Sequence, residues 1–416
     1  MVLPFYLSLL WCLGCAPQTS PPAVTSSPDG ILPVVTEPDV KPIAQEPIST
    51  ETWLAESWSA YQDRFIQDDG RVIDWESNGR TVSEGQAYAM LRAVLADDPK
   101  TFEQTLQWAE TNLKRPALPN DEDGEDHLWA WKWGEREDGT WGIIDGNFAS
   151  DADIDAVTAL ILAARRWNRP EYVDLARLKL ADLWAQSTVT ALVVEDHPPR
   201  YLLPGPLNVF QARPGVVYIN PSYLAPYAFR LFAQVDADHD WMTLVDSSYD
   251  LLQKTAQLSP KGLPGDWVVI DLTSQEMSPS PPGETLQSHY SFDAYRVWWR
   301  VQWDAAWFDE PRATDWLAQN LPYLEELWQT DQTIPAIFDL AGNALVDFEA
   351  TAQYAMLYPA FQQLNKEAAA AMRQQKLLTT YENGIWDNAD AYYVQNLAWL
   401  GLFPADAVPP QLLREN

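Results

Sequence analysis

The stretch Ala149-Ser150-Asp151-Ala152-Asp153-Ile154-Asp155, running on into AVTALILAARRW at 156–167, decides how this chain is read. Three aspartates at alternate positions would fan to both sides of a strand. The run after them is rich in Ala, Leu and Ile and of helical length, so the pattern predicts a helix over 152–168. Ser150 is placed to cap it, with Asp151 and Asp153 in the first turn, where the helix dipole favours carboxylates. Asp151 and Asp155 then share one face and Asp153 points elsewhere. Acidic residues at a helix start commonly do nothing more. A calcium-binding EF-hand loop is excluded, because Ala156 stands where the sharp turn needs Gly and Leu162 where the bidentate Glu belongs.

Working outward, segments of helical length recur at 52–66, 83–96, 101–114, 171–187, 222–235, 240–257, 292–304, 312–329, 348–362, 364–377 and 389–402. Stretches rich in β-formers are few and short, and no repeat of fixed period appears, which argues against a solenoid. Periodicity alone therefore gives a large all-α domain. At 416 residues the chain is long enough to build a sizeable core. Its 59 acidic against 27 basic residues leave a net charge of −32, which argues against nucleic acid or an anionic membrane as the main partner. Trp (21) outnumbers Gly (18), a balance that suits both a core filled with large aromatics and a groove lined with them.

Only Cys12 and Cys15 occur, so no disulfide staples the folded part. They end an apolar run, Val2–Gly14, that is short for a membrane span. Residues 1–15 read as a signal peptide with a lipobox-like end, Cys12-Leu13-Gly14-Cys15, although no Lys or Arg precedes the run. Cleavage before Cys15 would leave a lipidated N-terminus, the only expected tie to a membrane. The expected location is the periplasm, the outer membrane or the extracellular space. Residues 16–50 hold eight prolines and no aromatic residue, the composition of a semi-rigid tether. The folded domain is then 51–416.

Four further segments carry candidate chemistry. In TVSEGQAYAMLRAV (81–94), Thr81 and Glu84 have capping-box spacing, yet Gly85 weakens the helix where a simple cap would not ask for it. In PNDEDGEDHLWAWKW (119–133) an acidic tract, read as a solvated loop or a weak calcium site, precedes Trp129, Trp131 and Trp133, which alternate as on an extended piece. Ile219–Pro226 is a turn before a helix, with Ser222 as its cap. After the long irregular stretch 259–290 come Ser291, able to cap, and Asp293 and Arg296, which three-residue spacing puts on one helix face. Their aromatic surroundings argue for burial.

Taken together, ASDADIDAVTALILAARRW, SEGQAYAMLRAV, HLWAWKWG, the Asn220-Pro221-Ser222-Tyr223 turn, FDAYRVWWR and YYVQNLAWLGLF resemble glycoside hydrolase family 8 over about residues 51–403. Ala156, Val157 and Trp298 depart from the family pattern at apolar positions. The resemblance implies an (α/α)6 barrel and an inverting, endo-acting hydrolase of β-1,4-linked polysaccharide, working as a monomer without metal or organic cofactor. It makes Glu84 the general acid, Asp293 the general base and Asp151 the residue that holds the distorted sugar. It places Trp131 against a sugar ring, Tyr223 on the attacking water, and Tyr392 and Tyr393 toward the cleft. Arg296 and Asp153 join them as substrate contacts. The alternatives are a xylanase or chitosanase of the same family or, from another class, a non-catalytic surface glycan-binding protein that uses a Trp groove.

Overall fold

The computed structural model describes residues 49–115 and 126–414. The signal peptide, Cys15, the tether as far as Ile48 and most of the acidic tract before Trp129 lie outside the described residues. In chain order the elements are α1 (Thr50–Phe65), β1 (Thr81–Val82), α2 (Ser83–Leu95), α3 (Pro99–Asn112), β2 (Lys132–Glu135), β3 (Trp141–Asp145), α4 (Ser150–Trp167) and α5 (Pro170–Gln186). Next come β4 (Thr188–Thr190), β5 (Arg200–Leu202), α6 (Leu207–Phe210), β6 (Gln211–Arg213), β7 (Val216–Ile219), α7 (Pro226–Val235), α8 (Trp241–Gln257), β8 (Val268–Asp271) and β9 (Met277–Pro279). The last are α9 (Tyr295–Phe308), α10 (Pro311–Asn320), α11 (Pro322–Asp331), α12 (Thr351–Leu364), α13 (Lys366–Met372), β10 (Tyr381–Glu382), β11 (Ile385–Trp386), α14 (Tyr392–Leu402) and α15 (Pro410–Leu413).

Two kinds of helix alternate, and their sequences say why. A helix apolar on all sides must be enclosed, whereas one with a single apolar stripe lies at a surface. Helix α2 buries every residue except Glu84, and α4 buries Ser150 through Ala164 without a break. By contrast α5 buries only Tyr172, Ala176, Lys179, Leu180 and Leu183, one stripe at helical spacing. The enclosed helices α2, α4, α7, α9, α12 and α14 each pack on the next, and α14 returns to α2 to close a ring. Around them α3 backs α2, α5 backs α4, α8 backs α7, α10 backs α9, α13 backs α12 and α1 backs α14. This is an (α/α)6 barrel. Where α12 and α14 meet, a Cβ on Gly401 would stand 2.0 Å from the Ala355 carbonyl oxygen, so this contact requires glycine.

The aromatic excess goes largely into the ring. On α9, Trp298, Trp299, Trp303 and Trp307 are buried, and Trp303 stacks on Trp307 with centroids 4.5 Å apart. The outer helices α3, α5 and α10 open on Pro99, Pro170 and Pro311, where a missing N–H costs nothing. The single helix expected over 312–329 is two, because Pro322 cannot continue α10 and instead opens α11. The stretch 259–290 is not irregular throughout. It contributes β8 and β9 to an antiparallel sheet of order β6-β7-β8-β9, with Tyr218 opposite Val269 and Val269 opposite Ser278. Among the described residues, no helix is long and apolar enough to cross a membrane.

Candidate active site

Five of the six inner helices bring the residue at or just before their first turn to one place. Glu84 is the second residue of α2 and Asp151 the second of α4. Tyr223 ends the short 3-10 turn before α7, Asp293 precedes α9, and Tyr392 opens α14. Helix N-termini present partial positive charge, which is why carboxyl groups can be gathered here at all.

Arg296, on the first turn of α9 and 1% exposed, is the hub. Its Nη1 donates to Glu84 Oε1 at 2.6 Å, to Asp151 Oδ2 at 2.9 Å and to the Tyr88 hydroxyl at 3.2 Å. Its Nη2 donates to Asp293 Oδ1 at 2.7 Å. The Tyr223 ring lies beside the same guanidinium, 5.4 Å from its carbon. The second oxygen of each outer carboxyl is also held: Tyr392 donates to Glu84 Oε2 at 2.9 Å, and Asn220 Nδ2 to Asp293 Oδ2 at 3.2 Å.

The electrostatics separate the groups. Glu84 keeps 19% of its side chain open to the cleft, yet the crowding that strips water from its carboxyl is the largest influence and raises it to about 7; Arg296 and the Tyr392 hydrogen bond pull it back, while Asp151 and Asp293 push it further up. Asp151 is also raised, mainly by burial, against the pull of Arg296 and Arg300. Tyr223 is driven well above its ordinary value by burial and by the neighbouring aspartates, so it stays a neutral phenol.

The structure brings Glu84, Asp151, Asp293, Arg296, Tyr223 and Tyr392 into one cluster. Tyr393 stands one step behind, its hydroxyl donating to the Phe292 carbonyl at 2.7 Å, against the backbone that carries Asp293. Trp131 is half-buried next to the acid: its carbonyl accepts from the Ser83 N–H at 3.0 Å, and Lys132 Nζ lies 5.5 Å from its ring centroid. Asp153 is not part of the cluster. It is fully buried toward α5, accepts from the Trp129 N–H at 3.3 Å and faces Lys179 Nζ at 3.8 Å. Two residues along a helix carry it to the opposite side of α4 from Asp151, where it is enclosed by Trp129 and Lys179.

The expected caps do other work. The Ser150 hydroxyl donates to the Leu203 carbonyl and Thr81 to the Val72 carbonyl, so neither caps its helix. Glu84 is thereby free of a capping box and faces Arg296. Ser222 does not cap α7, which starts at Pro226; Asn220 Oδ1 accepts from the Ser222 N–H and hydroxyl. The Tyr392 ring packs over Gly85, 3.4 Å from where a Cβ would stand, an ordinary contact that does not by itself demand glycine. Three participants are not singled out by the sequence reading. Tyr88 sits four residues after Glu84, a spacing that places it on the same face. Asn220 lies within the quoted turn, where the local reading picks out Ser222 as the cap instead. Asp266 meets the Asp293 segment from 27 residues upstream, with no local signal.

A helical barrel that gathers one acid of raised proton affinity and a second carboxyl across a shared arginine, with aromatic rings beside them, has the layout of a glycoside hydrolase. Comparison with known proteins gives the family. The chain belongs to glycosyl hydrolases family 8, whose pattern matches residues 43–404. It is 36% identical over 218 residues to an endoglucanase of Pseudomonas fluorescens (strain SBW25), a match that spans about half of each protein (52%). It is 30% identical over 353 residues to an endoglucanase of Salmonella typhi, covering 84% of this chain and 86% of that one. Among solved structures, the endo-1,4-D-glucanase of Vibrio fischeri ES114 superimposes with a TM-score of 0.68 at 26% identity, covering 84% of this chain and 97% of that one.

Proposed function

We propose that this chain is an inverting endo-β-1,4-glucanase acting on cellulose or a related β-glucan. The observation that carries it is Arg296, which holds Glu84, Asp151 and Asp293 at hydrogen-bond distance from one guanidinium. Glu84, raised to about 7, keeps its proton near neutrality and gives it to the leaving glycosidic oxygen as the C–O bond breaks. Water adds to the anomeric carbon from the opposite face, and its proton passes to Asp293. Asp151 accepts hydrogen bonds from the sugar and, as an anion beside Glu84, raises the proton affinity of the acid. Tyr223, a neutral phenol, orients the water. Trp131 offers a ring face to a sugar. The names of the relatives support glucan over xylan or chitosan.

The enzyme works as a monomer on a chain exported to the periplasm, the outer membrane or the exterior, as its N-terminal sequence suggests. The test is NMR of the first product released from a β-1,4-oligosaccharide, with glucan, xylan and chitosan compared in parallel. The new reducing end is expected as the α anomer. An initial β anomer, or a glycosyl-enzyme trapped on either carboxylate, would overturn the mechanism.

A further inference from the structure

Asp266 lies two residues before β8 and is 7% exposed. Its Oδ1 accepts from the Ala294 N–H at 2.7 Å and from the Ser291 N–H at 3.2 Å, and its Oδ2 is paired with the Ser291 hydroxyl. Ala294 and Ser291 stand on either side of Asp293. One buried carboxyl thus collects the backbone donors that flank the base. Helix α9 has no side-chain cap of its own at Ala294, so Asp266 supplies from the bend before β8 what a local cap would give. The Asp266 N–H in turn donates to the His289 carbonyl at 2.6 Å, which fixes the two segments to each other.

We propose that Asp266 is the positioning residue of the general base: through its three hydrogen bonds it clamps the turn Ser291–Ala294 and so aims Asp293 at the attacking water. The inference rests on the reading of Asp293 as the base. The titratable groups that face Asp266 are Asp293 on the turn, Tyr290 and Tyr295 on either side of it, and Tyr393 on α14. None of these supplies positive charge. Burial first, and the charge of Asp293 second, raise Asp266 to about 8, which agrees with a group that keeps its proton near neutrality. In that form its O–H donates to Ser291 Oγ while the other oxygen accepts the two N–H groups. Asparagine reproduces that pattern, since its amide N–H replaces the acid O–H.

The experiment compares Asp266→Ala and Asp266→Asn in the full chain. The substrate is a β-cellooligosaccharide with an activated leaving group, so that protonation by Glu84 is not needed. Misplacing a reacting group by an ångström can cost about 10²-fold, so Asp266→Ala is expected to lower kcat on that scale with little change in KM. Asp266→Asn, which keeps neutral hydrogen bonds, is expected to restore kcat to within about threefold at neutral pH. Should Asp266→Ala not fold, Ser291→Ala removes one of the three bonds and is expected to lower kcat by a smaller factor. A folded Asp266→Ala with wild-type kcat, or an Asp266→Asn as slow as Asp266→Ala, overturns the proposal. Asp293→Asn in the same assay keeps the two questions apart: if that variant is active, the assignment of the base itself fails.

Discussion

Asp155 and Arg300 meet as a two-pronged pair inside the barrel, Nη1 to Oδ1 and Nη2 to Oδ2 both at 2.8 Å, with both residues excluded from water. The pair repeats the contact one helical turn nearer the site, where Arg296 meets Asp151. Helices α4 and α9 therefore present Asp and Arg at the same four-residue spacing and form two rungs. Arg300 also donates to the Ser222 carbonyl at 2.7 Å and to the Tyr227 hydroxyl at 2.9 Å, which anchors the turn carrying Tyr223. The lower rung holds the upper one in place.

Breaking this pair should be expensive. Removing one partner of a buried ion pair leaves an uncompensated charge and costs about 3–5 kcal/mol. Asp155→Asn and Arg300→Met are each expected to lower the urea midpoint correspondingly, while Asp155→Leu combined with Arg300→Met recovers much of the loss. Single variants within about 1 kcal/mol of wild type, the scale of an exposed pair, would show that the two groups are not buried as described.

The acid and the base should respond differently to the leaving group. A placed acid or base contributes on the order of 10²–10⁴-fold. Glu84→Gln and Asp293→Asn are each expected to lose activity on β-glucan on that scale while unfolding at nearly the wild-type temperature. An activated leaving group needs no proton, so it should partly rescue Glu84→Gln and leave Asp293→Asn inactive. Rescue of both, or of neither, would break the assignment of roles.

Tyr392 tunes the acid. Its hydroxyl donates to Glu84 Oε2 and favours the ionised form, pulling Glu84 down toward about 7. Tyr392→Phe removes that bond, so Glu84 should hold its proton to higher pH. A hydrogen bond of about 1 kcal/mol corresponds to a shift of the alkaline limb of kcat by up to about one pH unit upward. The limb should not move on a substrate with an activated leaving group. A downward shift would mean that Tyr392 acts on Glu84 in the opposite sense.

Much of this site is legible in the sequence because its residues sit at helix starts, where composition changes abruptly. Glu84 before an apolar run, Asp151 before another, and Asp293 three residues before Arg296 all carry local signals. The same signals mislead about caps. A Ser or Thr ahead of a helix reads as a cap, and where the barrel buries the helix start its hydroxyl is used across the fold, as Ser150 is on Leu203. Spacing alone turns Asp153 away from the face shared by Asp151 and Asp155, as found, but does not say that Trp129 and Lys179 cover it there. Asp266 has no local signal, since what it does depends on a turn 25–28 residues later. The lengths of the apolar segments give only a large helical domain, and the ring of six inner helices is implied by the family resemblance, whereas the β6–β9 sheet is hidden by its prolines and glycines.

Asp153 should make the fold more stable in mild acid than at neutrality. Burial is the main cause that raises it to about 7; Lys179 opposes this, as does the N–H of Trp129. In the unfolded chain an aspartate titrates near about 3.9, so between about pH 4 and 7 the fold holds a proton that the unfolded chain has released. The stability this confers is fully present below about pH 4 and is lost as pH rises through about 7. Asp153→Asn mimics the protonated state at every pH. It leaves Lys179 with Glu110 at 2.9 Å and the His127 carbonyl at 2.6 Å. The variant is therefore expected to match wild type near pH 4 and to exceed it at neutral pH by on the order of 2–4 kcal/mol. Glu84 and Asp266 titrate in the same direction, so the reading is the difference between variant and wild type across the pH series, not the slope of either alone. A variant less stable than wild type at neutral pH would show instead that Asp153 is ionised in the fold and that its pairing with Lys179 outweighs the cost of burial.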